Sequence, residues 1–242
     1  MYTISIPVGS HDCAVRVYDG STMSAPVVVV FMDAFGPRPA LLAIAERLSA
    51  EGYRVLVPDL FYCEQPFLPF DAPAVFAGGG ERDRLMGMFA GITQSRVDRD
   101  VTAILDWVAA NYGNETKLGC VGYCMGGRYA LTAAVTSPRV VAAASFHGAN
   151  LAVDAPESPH HRFAGIAARM YVGIAGIDEG FRGDEEGRLA AAMRTAGVDH
   201  MIETYRGAHH GFALQDLPVH HPRAAERHWQ RLAETLAEAF AA

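Results

Sequence analysis

Residues 117–131 leave the chain little choice of local structure. The apolar run Leu118-Gly119-Cys120-Val121-Gly122-Tyr123 meets Cys124, and Met125-Gly126-Gly127-Arg128-Tyr129-Ala130-Leu131 continues with helix-forming character. The order is strand, sharp turn, helix, with one thiol at the apex of a Gly-x-Cys-x-Gly turn. Gly122 and Gly126, two residues either side of Cys124, let strand and helix approach without Cβ clashes. Cys124 then falls at a helix N-terminus, where backbone N–H groups and the helix dipole favour a thiolate.

The same alternation runs along the chain. Residues 3–18 alternate as two short strands around a turn at 8–12, an edge ribbon. Residues 27–32 form a β-branched run suited to a parallel sheet covered on both faces. A Gly- and Pro-containing loop at 33–39 and a helix at 40–50 follow, then a strand at 53–60. Residues 61–80, rich in Pro, Gly and aromatics, lack a period and read as a long surface excursion able to cover a pocket. Helices are expected from about 81, from 97 to 112, from 184 to 196 and from 222 to 240. Strands are expected at 139–146, 169–175 and 200–205, and a loop-rich segment at 150–168. Strand alternating with helix implies an α/β fold, a mostly parallel sheet flanked by helices on both faces, in a single domain over 1–242.

Half of the 242 residues are hydrophobic and 19% are charged, which supports a sizeable core. A net charge of −7 argues against nucleic acid and anionic membrane as partners. No apolar run approaches the roughly 20 residues of a membrane span, and no secretory signal is expected at the start. Cys13, Cys63, Cys120 and Cys124 show no disulfide or zinc spacing, which suggests free thiols in a cytoplasmic protein. His160-His161 and His220-His221 lack the helical spacing of a zinc pair and read as exposed loop histidines.

In open α/β sheets functional groups gather beyond the carboxyl ends of strands. Four such ends carry reactive side chains: Asp33, Cys124, Asp178 and His210. A thiol must lose its proton to attack a carbonyl, a histidine can take and return that proton, and a carboxylate fixes the imidazole tautomer. The backbone N–H groups of Met125 and Ala34 stand where a developing oxyanion needs donors. Glu179 is the nearest rival to Asp178 as the acid, and His209 to His210 as the base. Asp178 and Asp33 could instead serve only as helix caps or loop anchors.

On these residues the chain resembles the dienelactone hydrolases of the α/β-hydrolase fold, over nearly its whole length. Gly122-Tyr123-Cys124-Met125-Gly126-Gly127 resembles the family's cysteine elbow, Gly176-Ile177-Asp178 its strand-end acid, and His210-Gly211-Phe212 its histidine motif. The resemblance implies hydrolysis of a small-molecule ester or lactone through an acyl-cysteine, with no metal or cofactor. It makes Cys124 the nucleophile, His210 the base and Asp178 its orienting acid. Phe35, Tyr123, Phe212 and Leu214 are its candidate substrate contacts. Asp33 stands where the family carries a thiol-activating glutamate, one methylene shorter. Arg82 matches by spacing the first of two carboxylate-holding arginines, with Arg84 as rival, and Leu214 stands where the second is expected. A pocket with leucine there is expected to hold a carboxylate less firmly. A redox-sensing thiol protein and a non-catalytic small-molecule binder on the same fold are the alternatives.

Overall fold

The computed structural model describes residues 1–64, 66–178, 181 and 183–242. Strands β1 (Tyr2–Val8) and β2 (His11–Tyr18) form the antiparallel ribbon at one edge. The strands β3 (Val27–Phe31), β4 (Arg54–Pro58), β5 (Leu118–Tyr123), β6 (Val140–Phe146), β7 (Arg169–Ile177) and β8 (His200–His209) run parallel. Every residue of β3, β4 and β5 is buried, the consequence of β-branched and apolar runs covered on both faces.

The described strands make one eight-stranded sheet in the order β1-β2-β4-β3-β5-β6-β7-β8. From β3 the chain steps to β4 on one side, and from β5 onward it steps the other way. The point of reversal lies between β3 and β5, where a crevice opens at the strand ends.

Helices α1 (Pro39–Ala50), α2 (Ala72–Ala77), α3 (Gly80–Ala90), α4 (Gln94–Tyr112), α5 (Met125–Thr136), α6 (Gly183–Ala196) and α7 (Pro222–Ala241) surround the sheet. Helix α1 meets α7 through the Arg47 guanidinium, 3.9 Å from the Trp229 ring centroid. Helix α4 packs on α5 across the sheet's other face, where Gln94 donates to the Thr132 hydroxyl at 3.1 Å.

The observed elements depart from the expected ones at several places. The excursion 61–80 is not wholly irregular. Its second half holds α2, which starts after Asp71 with a proline in its first turn and ends at Gly78, φ 93°. Helix α4 begins three residues before 97 because the Thr93 hydroxyl caps it, accepting from the Arg96 N–H at 3.3 Å. Strands β7 and β8 extend to Ile177 and His209 through a register irregularity after Ala175. The loop-rich segment contains a single 3₁₀ turn at Pro159–Arg162. No described helix is long and apolar enough to cross a membrane.

Candidate active site

The turn at Cys124 is enforced by backbone crowding. Cys124 has φ 54° and ψ −117°, a conformation that L-residues rarely adopt. A Cβ on Gly122 would lie 1.8 Å from the Gly126 carbonyl oxygen, and one on Gly126 would lie 2.4 Å from that of Phe31. Only glycine permits strand and helix to come this close. The Cys124 N–H donates to Phe146 O, and its carbonyl accepts from Gly127 and Ala149, each at 3.1 Å. Met125 is the first residue of α5, so its N–H has no partner within the helix. Ala34, in the loop after β3, lines the same cavity as Cys124.

Asp178 follows β7 directly. The register irregularity there coincides with Gly176, whose added Cβ would sit 2.8 Å from Tyr205 O, and such a bulge re-aims the next side chains. His210 follows β8 in a turn closed by Phe212 N–H to His209 O at 3.1 Å, with Gly211 at φ 93°. The His210 Nδ1–H donates to Asp178 Oδ2 at 2.7 Å, which leaves Nε2 free for the thiol of Cys124 on the same cavity. Burial alone would lower the His210 pKa. The Cys124 sulfur and the bond to Asp178 outweigh it and hold the imidazole well above its ordinary value. The structure therefore brings Cys124, His210 and Asp178 together on one cavity. His209 is exposed and lines the cavity without meeting Asp178 in any described bond. Glu179 lies outside the described residues.

Other candidates lie elsewhere. Asp33 is buried and turned to Arg38, whose Nη1 donates to Oδ1 at 2.5 Å and Nη2 to Oδ2 at 3.0 Å. Its Oδ1 also accepts from Phe35 N–H at 3.1 Å. Burial pushes its carboxyl above the usual range against the pull of Arg38. Arg38 also reaches Asp216 at 2.6 Å, tying the loop after β3 to the loop after β8. The described contacts of Asp33 thus serve this clamp, and none goes to the thiol.

Of the rival arginines, Arg82 lines the cavity, whereas Arg84 donates to Glu81 at 3.0 Å and to Leu68 O at 3.0 Å and covers the Phe70 ring. Phe35 lines the cavity. Tyr123, Phe212 and Leu214 do not, and are fully buried. Tyr123 donates to His228 Nε2 at 2.8 Å, and Phe212 stacks on Tyr205 with centroids 4.7 Å apart. Tyr123 directly precedes Cys124 at the end of β5, where successive side chains alternate faces, so it points away from the apex into the core.

The cavity measures about 470 Å³. Residues Val75 and Phe76 of α2 and Leu85, Met86 and Phe89 of α3 form one wall, and Ala149, Ile177 and Val219 close it. The excursion expected to cover a pocket supplies α2, and α3 continues the wall.

The end of β6 adds a further neighbour to the triad. His147 follows β6 directly, has φ 39° and is buried, its ring centroid 5.1 Å from that of His210. Neither ring nitrogen has a partner among the described residues. The strand-end rule that selected Cys124 and Asp178 selects His147 as well. Burial, with the nearby His210 and His228, holds its pKa well below the ordinary value, so the ring is neutral.

A profile of the dienelactone hydrolase family matches residues 14–240. The chain belongs to the dienelactone hydrolase family. It is accordingly a hydrolase of esters or lactones, and neither a redox-sensing nor a non-catalytic role is favoured. A relative in Escherichia coli O157:H7 named as a carboxymethylenebutenolidase is 28% identical over 213 residues, 86% of this chain and 75% of that protein. A Salmonella typhi protein of the same name is 28% identical over 218 residues, 88% of this chain and 77% of that one. Among solved structures, m3DLH aligns with a TM-score of 0.80 at 23% identity, over 98% of this chain and 97% of that one. The apo form of Thermogutta terrifontis esterase 2 aligns with 0.72 at 15%, over 98% and 94%. These two likenesses establish the shared α/β-hydrolase fold.

In this dienelactone hydrolase family member, the histidines around Tyr123 set an acid limit on stability. His228 donates from Nδ1 to Ala225 O at 2.8 Å, and burial lowers its pKa to about 4. The unfolded chain protonates it near 6.5, so the unfolded state binds more protons between the two values and stability falls with falling pH. Over that window His228 alone contributes a loss of about 3 kcal/mol, and His147 acts in the same direction. Thermal unfolding from pH 7 to pH 4 should show a steep fall in Tm that His228→Gln makes shallower. Equal slopes in both proteins would contradict the assignment.

Proposed function

We propose that this chain hydrolyses its ester or lactone through an acyl-cysteine at Cys124, with His210 as proton carrier and Asp178 as the group that orients it. The observation that carries this reading is the elbow apex sharing one cavity with a histidine whose Nδ1 is 2.7 Å from a buried carboxylate. The thiolate attacks the carbonyl carbon, and the new oxyanion is held by the N–H groups of Met125 and Ala34. Collapse breaks the C–O bond, and the leaving alkoxide takes the His210 proton. The neutral imidazole then removes a proton from water. The resulting hydroxide attacks the thioester, the C–S bond breaks, and free acid and thiolate–imidazolium remain.

Asp33 in this reading does not touch the thiol; together with Arg38 it fixes the loop that bears Ala34. The four cysteines are free, which supports a reducing, cytoplasmic setting. Intact-mass analysis after rapid mixing with a slowly deacylating activated aryl ester tests the reading. One acyl group is expected on the peptide containing Cys124, appearing with a burst of released phenol. Turnover without that adduct, or with the acyl group on another residue, would remove the thiol from the reaction.

A further inference from the structure

The cavity that holds Cys124 is lined mainly by apolar side chains. Phe35, Leu85 and Phe89 line its depth, and Phe76, Met86 and Ile177 its rim. Those three rim residues are 42%, 50% and 48% exposed, among the few large apolar side chains left in water. Scattered exposed apolar residues need no explanation, but three at the mouth of one cavity form a patch suited to an apolar ligand. The ring of Phe35 lies nearly parallel to that of Phe76, interplanar angle 12° and centroids 6.3 Å apart, so the depth and the rim form one continuous surface.

Cations are scarce on this path. Arg38 is consumed by Asp33 and Asp216, Arg84 by Glu81 and the backbone of residues 68 and 69, and Leu214 is sealed in the core. Arg82 is exposed and, among the described residues, has no ion pair, but it is one charge on the solvent side of an apolar cavity. A carboxylate on the part of a substrate lying against Leu85 and Phe89 would lose its hydration without a partner, whereas an apolar group there gains from burial.

We infer that the substrate is a neutral ester or lactone carrying an apolar group of about six to ten carbons, sized to a cavity of this class, which runs along the α2–α3 wall and emerges between Phe76, Met86 and Ile177. The assignment rests on ester hydrolysis at Cys124 and adds what is hydrolysed.

Two series of esters test it. In one the acyl chain lengthens from acetyl to octanoyl on a fixed nitrophenol; in the other the alcohol lengthens on a fixed acetyl group. In at least one series kcat/KM should rise about threefold per methylene, and about 80-fold from the two-carbon to the six-carbon member. The nitrophenyl hemisuccinate should be cleaved more slowly than the pentanoate of equal length. The double variant Phe76→Ser/Met86→Ser should flatten the rise, whereas Met201→Ser, which removes an exposed apolar side chain from β8, should leave it steep. Flat series in both arms, a faster hemisuccinate, or an unchanged slope in the double variant would overturn the substrate class. Esters would then still acylate Cys124, so the mechanism would stand. Absence of both turnover and acyl-Cys124 with every ester would instead remove the mechanism, and the substrate class with it.

Discussion

Cys124→Ala lowers kcat for any accepted ester roughly ten-thousandfold or more, the order of loss when a nucleophile that acts as a unit with its base is deleted. The fold tolerates the change, since alanine meets the same strain at φ 54° that cysteine does, and the surrounding glycines remain. Tm should stay within a few degrees, which separates lost chemistry from lost structure. His210 gives a second readout. Burial lowers its proton affinity, and the Cys124 sulfur and Asp178 raise it beyond that loss. Without the sulfur its titration must move down, and the ring-proton resonances of His210 will report the move. Turnover within tenfold of the parent protein would refute the nucleophile, and an unmoved titration would separate His210 from it.

Gly122→Ala costs the fold itself about 3 kcal/mol or more, at the upper end for overpacking, because the added carbon meets backbone that cannot rotate away. It would lie 1.8 Å from Gly126 O and 2.6 Å from Gly127 N, so α5 would have to leave the end of β5. For a chain of this size the loss corresponds to a fall in Tm of about 10 °C or to insoluble protein. Gly187→Ala is the internal control. That position lies inside α6, meets nothing within 4 Å and does not have positive φ. Alanine there should stabilise by roughly 0.5–1 kcal/mol. Comparable Tm values for the two variants would mean that crowding at the elbow is not what fixes its geometry.

The parts of the site legible beforehand are those whose cause is local. The Cys124 turn is written within about a dozen residues, as an apolar strand, two spaced glycines and a helix former, and each of these acts on its neighbours. His147 was equally legible by the strand-end rule, yet without an acid or a motif beside it nothing distinguished it from an ordinary core histidine. The helix α2 escaped because six residues with a proline and flanking glycines carry too short a period to recognise.

Sequence by itself determined the strand–helix alternation, the elbow and the chain order of thiol, carboxylate and histidine, because hydrophobic period and glycine spacing act over a few residues. Tertiary structure decided everything that depends on two distant segments meeting. Arg82 rather than Arg84 lines the cavity because of how α3 is turned, and Asp33 serves Arg38 because their loops are clamped to Asp216. Tyr123, Phe212 and Leu214 fill the core because backbone direction at the strand ends turns them away from the reactive apex. Side-chain direction and charge partners are properties of the packed sheet, and no local pattern carries them.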